Sequence, residues 1–304
     1  MGGPTIPGRR HRGVPEGYEK DDNRPDVFDP ALKQHPAAFI KGHPRFEDAE
    51  EEARFRAARA RILRRCLAGI GRAPVGDRVV ARGSVVLELW YGEQARPAKD
   101  IDLVVTPETV LPESSEGRHL LAGLTQAVTE ALRLEGTDLD PAAIPVDGIW
   151  TYERAEGRRL TFPWTWEGRV RDAIQVDVVF NERLLSAPLP LTVEDAEVRV
   201  ATPAESLAWK LVWLVSDMWP QGKDLYDAVL LAENVSVSLD FLERVFTEKQ
   251  GDSTESLKAV WLNEASRADW PNFAREYPRL AQGSLEDFLA RLERALSWPP
   301  GPSR

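Results

Sequence analysis

The run DIDLVV, Asp100 to Val105, restricts the possible folds of this chain more than any other segment. It alternates polar and apolar residues before becoming fully apolar, which is the pattern of a β-strand entering a core. Period two places Asp100 and Asp102 on one face and Ile101, Leu103 and Val105 on the other. A fold that accepts this strand must hold two carboxylates side by side at the margin of an apolar interior. Such carboxylates repel each other unless a cation lies between them. Mg²⁺ suits the position, because it takes one or two carboxylates and completes its octahedron with water and phosphate oxygens. A D-x-D at a strand edge is also an ordinary solvated pattern, so the decision rests on other residues.

Composition sets outer limits. The 304 residues allow about two domains, and 42% apolar residues suffice for a sizeable core. The 39 Lys and Arg against 49 Asp and Glu give a net charge of −10, so the overall field does not hold the chain to nucleic acid, although a local basic patch could. A single cysteine, Cys66, excludes an internal disulfide framework and a zinc ribbon. Arg9, Arg10 and Arg12 are followed by no apolar run of the secretory type, and no stretch has the roughly 20 apolar residues of a membrane span. A soluble cytoplasmic protein without membrane partners is expected.

The pattern divides the chain into a flexible tail over 1–45 with a short ordered piece near Phe39, an amphipathic helix over 46–72, a mixed α/β core over 73–188, a helical part over 189–298 and a tail over 299–304. The helix opens with five acids among its first seven residues and carries seven arginines between Arg54 and Arg72. Its acids and bases complement the helix dipole, and its arginines are either a solvated face or an RNA-phosphate patch. Thr202-Pro203-Ala204-Glu205 is a helix start, with Thr as N-cap and Pro at the first helical position. Further helices are expected over 119–134, 223–233, 239–249, 254–267 and 284–297.

Four features bear on the aspartates. Gly83-Ser84 lies between a strand and a short helix, where glycine admits close backbone approach and helix N–H groups favour phosphate. Asp177 is the only acid in the strand AIQVDVVF and can bring a third carboxylate to the first two. Lys210 is the only charge in SLAWKLVWLV and must either reach solvent or meet an anion. Lys223, Asp224 and Asp227 open the next helix, as caps or as site residues. Arg96 and Lys99 flank the aspartates and are either neutralising charges or surface residues. Trp209 and Trp213 share a helix face, for core packing or for stacking a base, and Trp164 and Trp166 lie on a strand that can face a cleft.

Taken in order, G-S, a helix, R-x-x-K-D-I-D-L, Q-V-D-V-V, A-E-S-L-A-W-K and K-D-L-Y-D resemble the nucleotidyltransferases of the AbiEii/AbiGii toxin group, within the DNA polymerase β superfamily. The resemblance covers about residues 79–235. It implies an α+β fold, with a polymerase-β-like core and mixed sheet followed by a C-terminal helical domain. It also implies that Gly83 and Ser84 hold a triphosphate, and that Asp100, Asp102 and Asp177 bind Mg²⁺ (or Mn²⁺), with Asp177 helping to activate the attacking hydroxyl. Lys210 would contact phosphate, and Lys223, Asp224 and Asp227 would complete the site. The implied reaction moves a nucleoside monophosphate from an NTP to an acceptor hydroxyl. A tRNA-like RNA is the expected acceptor, in a toxin–antitoxin or phage-defence setting with a possible antitoxin partner. Transfer to a small molecule or a protein hydroxyl, and a non-catalytic nucleotide- or RNA-binding module, are the competing readings.

Overall fold

A strand whose second half is apolar on both sides belongs in the middle of a sheet, and β4 (Asp100–Val105) lies there. The computed structural model describes residues 26–28, 39–41, 44, 46–151, 155–168, 170–216, 220–250 and 264–296. The chain divides into two compact units, Met1–Glu52 and Ala53–Arg304. In the first, β1 (Asp26–Phe28) pairs antiparallel with β2 (Phe39–Lys41), which is the ordered piece expected near Phe39. Most of the expected tail over 1–45, and the tail over 299–304, lie outside the described residues.

The second unit contains a seven-stranded sheet in the order β5-β6-β7-β4-β3-β9-β8. Its other strands are β3 (Val79–Arg82), β5 (Val146–Thr151), β6 (Ala155–Trp166), β7 (Val170–Val179), β8 (Leu189–Val193) and β9 (Ala196–Val200). The sheet is mixed: β4 runs parallel to β7 and antiparallel to β3. Residues 189–200 were expected to begin the helical part and instead add a hairpin to the sheet. The reason is period two: Ala196 and Val198 are buried while Glu197 between them is exposed, and Glu194 takes a positive φ at the turn.

Helices cover both faces. The first is α1 (Ala49–Arg72), followed by α2 (Ser84–Tyr91) and α3 (Ser115–Leu134). The C-terminal group is α4 (Pro203–Ser216), α5 (Gly222–Asn234), α6 (Leu239–Gln250), α7 (Trp270–Glu276) and α8 (Leu285–Ala295). At the start of α4, Glu205 N–H donates to Thr202 Oγ1 at 3.1 Å, as its N-cap signature requires. The helix expected over 254–267 lies largely outside the described residues. Residues of α4 to α8 form one apolar cluster that also takes in Val80 and Val104 of the sheet. Arg82 and Asp102 share that face with Val80 and Val104, because they stand two residues further along the same strands.

The opposite face receives α1. Phe55 packs against Trp164 and Trp166 of β6 with ring centroids 5.6 Å apart in each case, so those tryptophans serve the core. At the other end, Gly71 lies so close to Glu197 and Val198 of β9 that a Cβ there would collide with backbone. Between them the buried Arg59 pairs with Asp172 and donates to the carbonyl oxygens of Lys99 and Ala173 at 2.6 and 3.4 Å. One guanidinium thus joins α1 to the entries of β4 and β7. Arg59→Met should cost about 3 kcal/mol in urea unfolding, because it strips a buried charge and two carbonyls of their donor. The exposed pair Arg61–Glu135 should cost less than about 1 kcal/mol when Arg61 is replaced by Met. Equal losses in the two variants would contradict the assignment of Arg59 as the joint.

Candidate active site

The strand register lines up four charged side chains across the sheet. Arg82 on β3 stands opposite Asp102 on β4, Asp102 opposite Asp177 on β7, and Asp177 opposite Arg159 on β6. Residues opposite one another in neighbouring strands project to the same face, so the row reads Arg-Asp-Asp-Arg. Its two ends differ. Arg159 Nε and Nη2 each donate to one oxygen of Asp177 at 2.7 Å. Arg82 is turned to Glu182, at 2.8 Å, and lies 4.6 Å from the ring centroid of Trp209 and 5.4 Å from that of Trp213. Those two tryptophans are buried beneath an arginine and offer no face for stacking a base.

The Asp102 side chain makes no hydrogen bond or ion pair among the described residues. Burial raises its pKa first, the charges of Asp100 and Asp177 raise it further, and Arg82 and Lys210 offset this only in part, leaving it pushed up to about 7. Asp100 behaves oppositely. Burial works against its charge, but Arg96, Lys223, Arg159 and a hydrogen bond from Ser84 Oγ at 3.2 Å hold it below the usual carboxylate range.

The Gly-Ser turn is fitted to this pair. Gly83 caps α2 with φ 75° and ψ −158°, and a Cβ on it would overlap Asp102 Oδ2. Gly83 therefore lets a carboxylate approach the backbone, while Ser84 opens α2 and holds the other carboxylate.

Lys210 and the KDLYD segment form a second group on α4 and α5. Lys210, only 4% exposed, donates from Nζ to Asp224 Oδ1 at 2.7 Å and lies 2.9 Å from Asp227 Oδ2. Arg96 Nε and Nη2 approach Asp227 at 3.1 to 3.2 Å. The anion demanded by a lysine on an apolar helix is thus supplied by the protein. Burial lowers the Lys210 pKa, but Asp224 and Asp227 reverse this and hold it above its ordinary value. Burial likewise raises Asp227, and Arg96 with Lys210 brings it below the usual range, so both stay charged. Lys223 makes no ion pair among the described residues, although its charge acts on Asp100. Lys99 pairs with Glu276 at the end of α7.

Two of these residues, Arg82 and Arg159, were not singled out from the sequence. Each belongs to an otherwise ordinary strand, and only the register sets them beside the aspartates. No group of three or more His, Cys, Asp or Glu is arranged to hold a metal ion among the described residues. A pair does fit one: Asp102, unneutralised, with Asp100 on the same strand face, has the hard oxygen donors that Mg²⁺ takes.

The arginines of α1 are mostly engaged elsewhere. Arg59 pairs with Asp172, Arg61 and Arg65 with Glu135 at 3.2 and 3.4 Å, Arg65 also with Glu194 at 3.3 Å, and Arg72 with Asp195. No helix among the described residues is long and apolar enough to cross a membrane.

Comparison with known proteins gives one family match. The family model described as "Nucleotidyl transferase AbiEii toxin, Type IV TA system" matches residues 65–294. Among solved structures, an antigenic nucleotidyltransferase-like protein from Paracoccidioides brasiliensis is similar at 14% identity, covering 70% of this chain and 84% of that one, with a TM-score of 0.34. No curated protein matches.

The charge on Asp102 should be visible in stability. Without metal, the folded state keeps its Asp102 proton up to about pH 7, whereas an ordinary aspartate loses it near 3.8. The folded state binds more protons inside that window, so stability falls as pH rises through it and stays reduced above it. In EDTA at about pH 8, Asp102→Asn should therefore melt several degrees above wild type, and the gap should close near pH 4. Mg²⁺ should raise the wild-type Tm more than that of the variant. A Tm difference independent of pH, or equal response to Mg²⁺, would contradict an unneutralised Asp102.

Proposed function

The chain belongs to the AbiEii family of nucleotidyl transferase toxins, and from that premise we propose that it moves a nucleoside monophosphate from an NTP to an acceptor hydroxyl, using a Mg²⁺ or Mn²⁺ ion held by Asp100 and Asp102. It is a transferase of α+β fold with a mixed sheet, and the toxin family implies an antitoxin partner and a nucleotide substrate. The observation that carries the site assignment is Asp102: a carboxylate beside a second one, without an ionic partner, fitted against the one residue type that leaves it room.

The chain's own residues then divide the work. Gly83 and Ser84, with the N-terminal N–H groups of α2, receive the triphosphate, since no side chain caps that terminus. Lys223 is the unpaired cation close enough to act on Asp100, and it contributes charge toward phosphate. Asp227 and Asp224 fix Lys210 in place, and its charge offsets Asp102 through space. Arg96 keeps Asp227 ionised and connects α5 to the segment before β4. A divalent ion bound at Asp100 and Asp102 would supply Lewis-acid polarisation of phosphoryl oxygens and stabilise the developing charge.

We keep RNA, of tRNA type, as the expected acceptor. A second reading, a small molecule or a protein hydroxyl, is favoured by one observation: Arg59, Arg61, Arg65 and Arg72 already have acidic partners in the protein, so the α1 face is not an unoccupied phosphate patch.

Purified protein with Mg²⁺, each α-labelled NTP and separate pools of tRNA, proteins and small hydroxyl compounds should place label in tRNA. Asp102→Asn should reduce that transfer by more than about 100-fold, in line with losing metal-based stabilisation of several kcal/mol. Label confined to another pool moves the acceptor to the second reading. Transfer by Asp102→Asn at the wild-type rate defeats the mechanism.

A further inference from the structure

The two aspartates that face each other across β4 and β7 are not electrically alike. Asp177 has both of its oxygens taken by one guanidinium, at 2.7 Å each, with the Arg159 and Asp177 side chains only 8% and 10% exposed. Asp102, one strand away, has no such partner. We propose that this site holds a single divalent ion, on Asp100 and Asp102, and that the Arg159 guanidinium is a built-in second cation that occupies Asp177 in place of a second ion. The inference rests on the nucleotidyl-transfer reading and narrows it.

Three observations support it. The first is the form of the pair. Two parallel N–H to oxygen bonds are the strongest arginine–carboxylate arrangement, and arginine keeps its charge at any pH the protein meets. A divalent ion on the same carboxylate would sit beside that charge in a poorly solvated place, where repulsion is weakly screened. The second is rigidity. Arg159 lies inside a continuous β6–β7 ladder that runs from Gly157 opposite Val179 to Trp166 opposite Val170. It cannot leave Asp177 by a shift of register without turning the buried Leu160 and Phe162 to the other face. The third is the asymmetry of the row. Arg82, at the other end, is drawn toward Glu182 and the Trp209 ring, so the protein neutralises Asp177 and leaves Asp102 for an external cation.

The consequence is chemical. Paired metal ions about 4 Å apart divide the stabilisation of the attacking and leaving oxygens between them. Here one of those positive charges is part of the chain and does not exchange with solvent. Arg159 is in this sense a positioning residue: it acts through Asp177 and fixes the charge on one side of the site.

Counting Mn²⁺ bound to the full chain, by electron paramagnetic resonance and by calorimetric titration with Mn²⁺ alone, tests this directly. Wild type should bind one ion, Asp102→Asn should weaken it by about 10- to 100-fold or more, and the charge-balanced Arg159→Met/Asp177→Asn should leave it within about threefold. Arg159→Met should open a second Mn²⁺ site that disappears again in Arg159→Met/Asp177→Asn, and Arg159→Lys should keep the count at one. The double variant has no uncompensated charge and keeps the count readable if the single variant loses its fold. Two ions on wild type, or a single ion lost as fully in Arg159→Met/Asp177→Asn as in Asp102→Asn, would overturn the inference while leaving metal-dependent transfer intact. Wild type without Mn²⁺ binding, or unchanged binding in Asp102→Asn, would instead remove the reading on which the inference depends.

Discussion

Two carboxylates placed opposite each other in the middle of a sheet are the constraint around which the second unit is arranged. Asp102 and Asp177 are neighbours because β4 and β7 run parallel in a fixed register, and Asp100 adds a third charge at the mouth of the same strand. In a partly dehydrated position such charges raise one another's pKa and oppose folding. The surrounding structure limits this cost in steps. Arg159 neutralises Asp177, Ser84 and the more distant Arg96 and Lys223 hold Asp100 ionised, and Asp102 is left as the one acid whose charge is not matched. Stability is lost at a single atom group, which is the place where a cation would restore it.

The Lys210 group shows the same chemistry brought to completion. Arg96 and Lys210 balance Asp224 and Asp227, so two positive and two negative charges are buried together, each bonded within the set. A buried ion pair is not by itself a source of stability, but removing one member leaves an uncompensated charge and costs several kcal/mol. Such a set therefore fixes geometry. It holds α4 against α5 and both against the segment that leads into β4, so the helical layer meets the aspartate face in one arrangement. Tyr226 adds to the same joint by donating to the Gln94 carbonyl at 2.6 Å. The closed set and the open aspartate pair lie on the same side of the sheet, and Lys210 links them through its effect on Asp102.

How far these arrangements could be read beforehand depended on whether the signal was local. The strand with Asp100 and Asp102, the Gly83-Ser84 turn, the strand with Asp177 and the cap at Thr202 follow from period and from residue chemistry within a few positions, and each is present. The demand that Lys210 find an anion was legible too, because an ammonium on an apolar helix must be compensated. Its partner was not, since phosphate and Asp224 satisfy that demand equally in sequence. Arg82 and Arg159 carried no signal, because nothing in a strand sequence announces which residue of another strand it will face. Asp177 and Arg159 are joined by register alone. Residues 189–200 illustrate a different limit: two five-residue strands and a tight turn offer few periods, and the strongly helical sequence that follows dominates the pattern.

The same distinction between a charge and its partners governs the basic helix. Net charge of −10 is a poor guide to polyanion binding, and local clustering of arginine on α1 is a better one. Clustering in sequence, however, is still not a free charge. Glu135 ends α3, and Glu194 and Asp195 form the turn between β8 and β9; they meet Arg61, Arg65 and Arg72 one helical turn or two apart. These acids lie at the edge of the sheet and the end of a neighbouring helix, so these three arginines join α1 to both and have their charges matched there. Pairs of this exposure are weak one by one, and a phosphate could replace an acid at Arg61 or Arg72 with little loss. At Arg59 it could not, because its carboxylate and two carbonyls are buried with it. Any polyanion drawn to α1 must therefore outbid acids that the fold already provides, and the position of those acids, more than the number of arginines, sets how strongly it is drawn.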